Sequence, residues 1–167
     1  NEKMGSNWTF LQYARRMIAE SDNTASNILL RRLGMRNVNE RAQKLGLQVS
    51  RFDREYMGFD ARREGKDNWT TAREMGRLVQ AIFRREILTP EVCDEMIAAL
   101  ERTSRGRIAA GVPREVAVGH KSGSVAGHRH DVGWVRVAGR PYILSVFLEN
   151  VLEVPSEEGD RGIAAIE

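Results

Sequence analysis

The 167 residues carry 26 Lys plus Arg against 23 Asp plus Glu, a formal net charge of +3. At 41% hydrophobic and 29% charged, the chain has the composition of an ordinary globular protein and is long enough to bury a real core. The basic excess is spread along the chain and forms no block, which speaks against nucleic-acid binding, and no apolar run reaches the length of a membrane span.

Both ends look cut. Asn1 follows no charged-then-apolar leader, and residues 161–167 read as a helix that has barely started. Residues 7–19 place Phe10, Ala14, Met17 and Ile18 on one helical face. Residues 22–33 and 37–45 form shorter helices, each stopped by a glycine, Gly34 and Gly46. An irregular stretch, 50–65, follows. Residues 70–85 then align Met75, Leu78, Val79, Ile82 and Phe83, with Thr70 or Thr71 as cap. Thr89-Pro90-Glu91 is a helix start with Pro in the first turn, continued by Val92, Met96, Ala99 and Leu100. Cys93 is the single cysteine, so no internal disulfide forms; its apolar helical setting makes it a core residue and leaves the redox compartment open.

After about residue 110 the pattern changes to strands. Residues 115–121, 130–137 and 141–149 are rich in β-branched and aromatic side chains, and Ala138-Gly139-Arg140 makes a short hairpin turn between the last two. Residues 142–148 are apolar on both faces, which calls for helices on both sides of that strand. The expected fold is therefore mixed α+β: one domain spanning 1–167, mainly helical over 1–110, with an antiparallel sheet and the start of a last helix over 111–167. Such a three-stranded sheet calls for more neighbours, which a region ahead of residue 1 could supply.

Three segments carry possible chemistry: Ser21-Asp22-Asn23, Glu55 and Lys121-Ser122-Gly123. Singly each is ordinary, since S-D-N is a good helix N-cap and K-S-G a common strand end. Their order is more telling. Ser21-Asp22-Asn23 opens a helix, and Lys121-Ser122-Gly123 ends a strand 100 residues later, before a hairpin. Here the sequence resembles the class A β-lactamases and their penicillin-binding relatives, whose motif set is S-x-x-K, S-D-N and K-T-G. The likeness spans essentially the whole chain. It includes Met17-Ile18 ahead of Ser21-Asp22-Asn23-Thr24-Ala25-Ser26-Asn27, then Gly111-Val112-Pro113, then Gly119-His120-Lys121-Ser122-Gly123-Ser124. Asp131-Val132-Gly133 and Gly139-Arg140-Pro141 complete it.

The resemblance implies a β-lactamase/transpeptidase-like fold and an acyl-enzyme formed on a serine. By position, Ser21 would relay a proton to the departing nitrogen, because an amide nitrogen leaves poorly unprotonated. Asn23 would hold the lysine of S-x-x-K and bond the substrate's side-chain amide. Lys121 would supply positive charge, and Ser122, beside Gly123, would bond the substrate carboxylate. The Ser124 N–H would be half of an oxyanion hole. Arg129 is the expected cation for that carboxylate, while His120 and His130 read as satisfied edge residues.

Two departures stand out. No Ser-x-x-Lys occurs in the chain; the resemblance places it ahead of Asn1, in the same chain or a separate one. In addition, the family's E-x-x-L-N is here Glu55-Tyr56-Met57-Gly58-Phe59, without the water-holding asparagine. Glu55 falls where the deacylating glutamate is expected, though from the residues alone it is equally a solvated loop acid beside Arg51 and Arg54; Asp60 is a substitute. The expected ligand is a β-lactam or a D-Ala-D-Ala-type peptide, with no metal or organic cofactor, at an extracytoplasmic location. The alternatives are a D-alanyl peptidase or other slowly deacylating acyl-serine hydrolase, and a non-catalytic binding module on the same fold.

Overall fold

Thr9 starts the first helix with a reciprocal cap: the Gln12 N–H donates to Thr9 Oγ1 at 3.3 Å and the Thr9 N–H donates to Gln12 Oε1 at 2.7 Å. This is the first feature of a computed structural model that describes residues 8–104 and 106–151. The chain divides into two compact units between Trp69 and Thr70. The helix-rich stretch 1–110 is thus split, and its last helices belong with the sheet. The expected start of a helix over 161–167 lies outside the described residues.

In the first unit, α1 (Phe10–Ala19) packs on α2 (Asn23–Leu33), and α3 (Met35–Lys44) follows directly. Gly34 and Gly46 stop α2 and α3 with φ of 81° and 80°, a left-handed turn open to glycine at little cost. Gly34 also begins α3, so that helix starts two residues before its expected position. Ala25, Leu29, Leu30 and Leu47 form the buried apolar core here. The irregular stretch contains one short helix, α4 (Phe59–Arg63), and a backbone bridge joins Arg51 to Trp69.

Asparagine side chains hold this loop by acting as backbone surrogates. Asn39 Nδ2 donates to the Phe52 carbonyl and its Oδ1 accepts the Phe52 N–H, both at 2.8 Å. Asn68 Oδ1 accepts the N–H groups of Asp53 and Arg54. Arg54 in turn donates to Asp67 through Nε and Nη2 at 2.9 and 2.6 Å. Backbone groups of Phe52, Asp53 and Arg54 are thereby satisfied without regular structure.

The second unit contains α5 (Ala72–Phe83), α6 (Pro90–Glu101) and α7 (Arg107–Ala110), then β1 (Val118–Val125), β2 (His128–Val135) and β3 (Tyr142–Glu149). Thr71 caps α5 by accepting the Glu74 N–H at 3.1 Å. Thr89 takes the cap position of α6 with Pro90 behind it, although its side chain bonds no helix N–H. Cys93 is fully buried on α6. The strands form an antiparallel sheet in the order β1-β2-β3. One face carries a core of Ile108, Val112, Val135 and Val146, joined by Leu144 and Leu148. On the other, Trp134 meets Phe83 of α5 at 5.4 Å between ring centroids. No helix of the described residues is long and apolar enough to cross a membrane.

The expected strand ends need correction. β1 runs through Lys121, Ser122 and Gly123 to Val125, and β2 begins at His128. Glycines and serines have weak strand preference, so the sequence hides this continuation; pairing of Ser122, Gly123 and Ser124 with Asp131, His130 and Arg129 supplies it. Lys121 therefore stands in the middle of a strand.

Candidate active site

In the first unit the S-D-N segment is the entry to α2. Asp22 is the N-cap, its Oδ1 accepting the Ala25 N–H at 2.9 Å. Arg16 of α1 grips Oδ2 through Nε at 3.0 Å and Nη2 at 2.9 Å, and its guanidinium lies 4.8 Å from the Trp8 ring centroid. The Ala25 N–H and the Arg16 charge hold the Asp22 carboxyl below its ordinary range. Ser21, just before this cap, has φ of 54°, an uncommon conformation for a residue with a side chain.

Asn23, Asn27 and Arg31 recur at intervals of four and so share one face of α2. The loop lies along that face. Asn27 Nδ2 donates to the Tyr56 carbonyl and its Oδ1 accepts the Tyr56 N–H, both at 2.9 Å. One turn further, Arg31 holds Glu55 with two parallel bonds, Nε to Oε1 at 2.8 Å and Nη2 to Oε2 at 2.5 Å. These bonds keep the Glu55 carboxyl below its usual value, leaving it ionised at neutral pH but a weaker base. Its side chain is 35% exposed. The loop arginines Arg51 and Arg54 pair instead with Asp53 and Asp67. Asp60 is exposed on α4 and pairs with Arg63.

In the second unit the alternation of β1 separates the K-S-G-S side chains. Ser122 and Ser124 lie on the face of Asp131, with His120; Lys121 and Gly123 lie on the opposite face. The Arg136 N–H donates to the Ala117 carbonyl at 2.9 Å, which marks 117 and 136 as a hydrogen-bonded pair. Alternation along an antiparallel ladder then turns the backbone groups of residues 118, 120, 122 and 124 away from β2, toward the outer edge of the sheet. The Ser124 N–H thus points outward from an edge strand. Lys121 Nζ donates to the Ser122 carbonyl at 2.7 Å. Burial lowers its pKa, Asp131 opposes that shift, and Arg107 reinforces it.

Two cations stand on the face of Ser122 and Ser124. Arg129, opposite Ser124, turns Nη1 to the Val125 and His128 carbonyls of the hairpin, each at 2.9 Å. Arg107 of α7 donates through Nη2 to Ser124 Oγ at 2.5 Å. Sequence reasoning passed over Arg107, since nothing in Gly106-Arg107-Ile108 indicates that α7 packs on this sheet. His120 is satisfied, as expected, but buried rather than exposed, with a partner at each ring nitrogen; His130 departs from the expectation, stacking on Phe147 at 4.2 Å between centroids with its buried Nδ1 unbonded. Among the described residues no group of three or more His, Cys, Asp or Glu is placed to hold a metal ion.

Comparison with known proteins places the chain among β-lactamases and penicillin-binding relatives. The chain is 29% identical over 175 residues to a β-lactamase of Streptomyces fradiae, covering 98% of this chain and 55% of that protein. Among solved structures it is similar to the β-lactamase of Sphaerobacter thermophilus DSM 20745, with a TM-score of 0.87 and 28% identity, covering 99% of this chain and 64% of that one. It is also similar to PBP-A, with a TM-score of 0.85 and 26% identity, covering 98% and 61%; a mutant of PBP-A has been solved as an acyl-enzyme complex with penicillin G. The chain spans about half the length of the curated relatives it matches. The model of the β-lactamase enzyme family matches residues 1–166, and the chain belongs to that family.

Proposed function

We propose that this chain is the greater part of a serine hydrolase that opens β-lactam rings through an acyl-enzyme, at an extracytoplasmic location. The observation that carries the reading is the outer edge of β1. It presents the Ser124 N–H, with the Ser122 and Ser124 hydroxyls and Arg107 on one face and the Lys121 ammonium on the other. A substrate lying along that edge meets an oxyanion donor, hydroxyls and a guanidinium for its carboxylate, and a cation near the centre of reaction. Arg129 and the open backbone at Gly123 complete the substrate-binding set.

In acylation a serine oxygen, supplied by a Ser-x-x-Lys segment, bonds to the carbonyl carbon. The carbon–nitrogen bond breaks and the serine's proton ends on the nitrogen. Ser21 passes that proton, Lys121 eases its movement, and Asn23 orients the substrate amide. In deacylation water attacks the ester with Glu55 as base, freeing the serine and a carboxylic acid. A second reading is favoured by the Arg31–Glu55 pair: an engaged carboxylate activates water poorly, which suits a penicillin-binding enzyme that releases its acyl group slowly.

Ser21→Ala in the full gene product tests the proton relay. Acylation by a penicillin is expected to slow by about a hundredfold or more, the usual effect of losing a positioned proton donor. A thioester, whose leaving group departs without a proton, should be far less affected. Equal losses on both substrates, or no loss on either, would remove Ser21 from the reaction.

A further inference from the structure

His120 and Asp131 are the most deeply buried polar pair in the sheet, with side chains 3% and 0% exposed. His120 Nδ1 lies 2.9 Å from Asp131 Oδ1. The carboxylate's other oxygen accepts the Ile108 N–H at 3.0 Å. Across the imidazole, Nε2 lies 3.1 Å from the Ser104 carbonyl and 3.3 Å from the Gly106 N–H. One pair of side chains, from β1 and β2, therefore fixes the backbone on both sides of Arg107.

The surroundings are shaped to the ring. A Cβ on Gly106 would stand 2.5 Å from His120 Cε1, so that position admits no side chain without displacing the imidazole; one on Gly133 would stand 2.5 Å from the Gly119 carbonyl oxygen and 2.6 Å from His120 Cβ, against the β1 backbone at the root of the same side chain. Burying a carboxylate costs several kcal/mol unless it is bonded and compensated. That expense is unnecessary for an apolar core, and the same unit builds one from Ile108, Val112, Val135 and Val146. What the polar pair adds over an apolar filling is direction. It fixes where Arg107 leaves the loop, and His120 is the backbone neighbour of Lys121 in β1.

We infer that Asp131 and His120 are positioning residues that set the Arg107 guanidinium beside Ser124, and so set how strongly this enzyme prefers substrates bearing a carboxylate. The inference rests on the proposed acyl-transfer function. Neither side chain touches the substrate; both act through Arg107.

The test uses the full gene product and two β-lactams, one with its free carboxylate and one as the methyl ester. His120→Asn keeps a donor near Nδ1 for Asp131 while losing the contacts at Nε2; Asp131→Leu keeps the volume and loses both acceptor oxygens, the Ile108 anchor and the charge. Each is expected to slow acylation by the carboxylate 10- to 100-fold, the range for a binding group misplaced by about an ångström, and acylation by the ester less than about threefold. In an Arg107→Ala background neither substitution should add to the loss. Equal slowing of both substrates, or full additivity with Arg107→Ala, would overturn the inference. Amide hydrogen exchange reads the tether without turnover: Asp131→Leu should speed exchange at Ile108 and Gly106 while the β1–β2 amides stay protected, and unchanged exchange would overturn it. A parent protein that acylates with neither substrate refutes the proposed function instead, and the exchange result still decides whether the tether exists.

Discussion

Lys121→Ala in the full gene product is expected to lower acylation by at least about a hundredfold. The ammonium is held in mid-strand by the β1–β2 register and tied to the Ser122 carbonyl at 2.7 Å, so its position is set before substrate arrives. A preorganised charge at a developing anionic centre contributes roughly 3 kcal/mol. Burial lowers the Lys121 pKa from its ordinary 10.5. The charged form is the useful one, so acylation should decline as pH rises through a midpoint below that value. Lys121→Arg keeps the charge on a bulkier group that cannot give up a proton at these pH values, and should recover only part of the rate. Stopped-flow measurement of adduct formation reads all three. A parental rate in Lys121→Ala would make this residue a strand filler.

Glu55→Gln is expected to leave acylation nearly intact while the acyl-enzyme accumulates, its lifetime lengthened by about a hundred- to ten-thousandfold. Removing a positioned base affects only the step that needs it. Because the Arg31 bonds hold the Glu55 carboxyl below its ordinary 4.5, the parent should retain its release rate as pH falls, losing it only below that value. The same bonds weaken the base, so parental release should be slow compared with an unpaired carboxylate. The lifetime of the adduct by intact mass, parent against variant, is the measurement. Equal lifetimes would make Glu55 an anchor of the loop on α2, and a parent adduct that persists for hours would favour the penicillin-binding reading.

What the sequence made legible was local. Thr71 before an apolar stripe, Gly34 and Gly46 after one, and Pro90 inside a first turn each act within four residues, and each of the five expected helices lies within a few residues of its expected position, whereas the short α4 and α7 were not foreseen. Ser21-Asp22-Asn23 read as a helix cap, and Asp22 is one. What stayed hidden depends on partners far along the chain. The Arg31–Glu55 pair joins residues 24 apart, and the His120–Asp131 pair joins residues 11 apart on neighbouring strands. Neither spacing carries a helical or strand period. Arg107 was invisible for the same reason: only the docking of α7 on the sheet places it at Ser124. The extension of β1 past Lys121 comes from cross-strand pairing that overrides the weak strand preference of Ser122, Gly123 and Ser124.

The central claim is that the chain supplies proton transfer and substrate binding to a serine it does not itself contain. Intact mass spectrometry after incubation with penicillin tests it on two samples: the 167-residue chain alone and a full gene product carrying Ser-x-x-Lys ahead of residue 1. The chain alone has no Ser-x-x-Lys, and neither Ser21 nor Ser122 has a lysine three residues on. It should therefore gain no mass, whereas the longer protein should gain one penicillin, mapped to the serine of that motif. A penicilloyl adduct on the 167-residue chain by itself would contradict the account, and so would a longer protein that carries the motif and stays unlabelled.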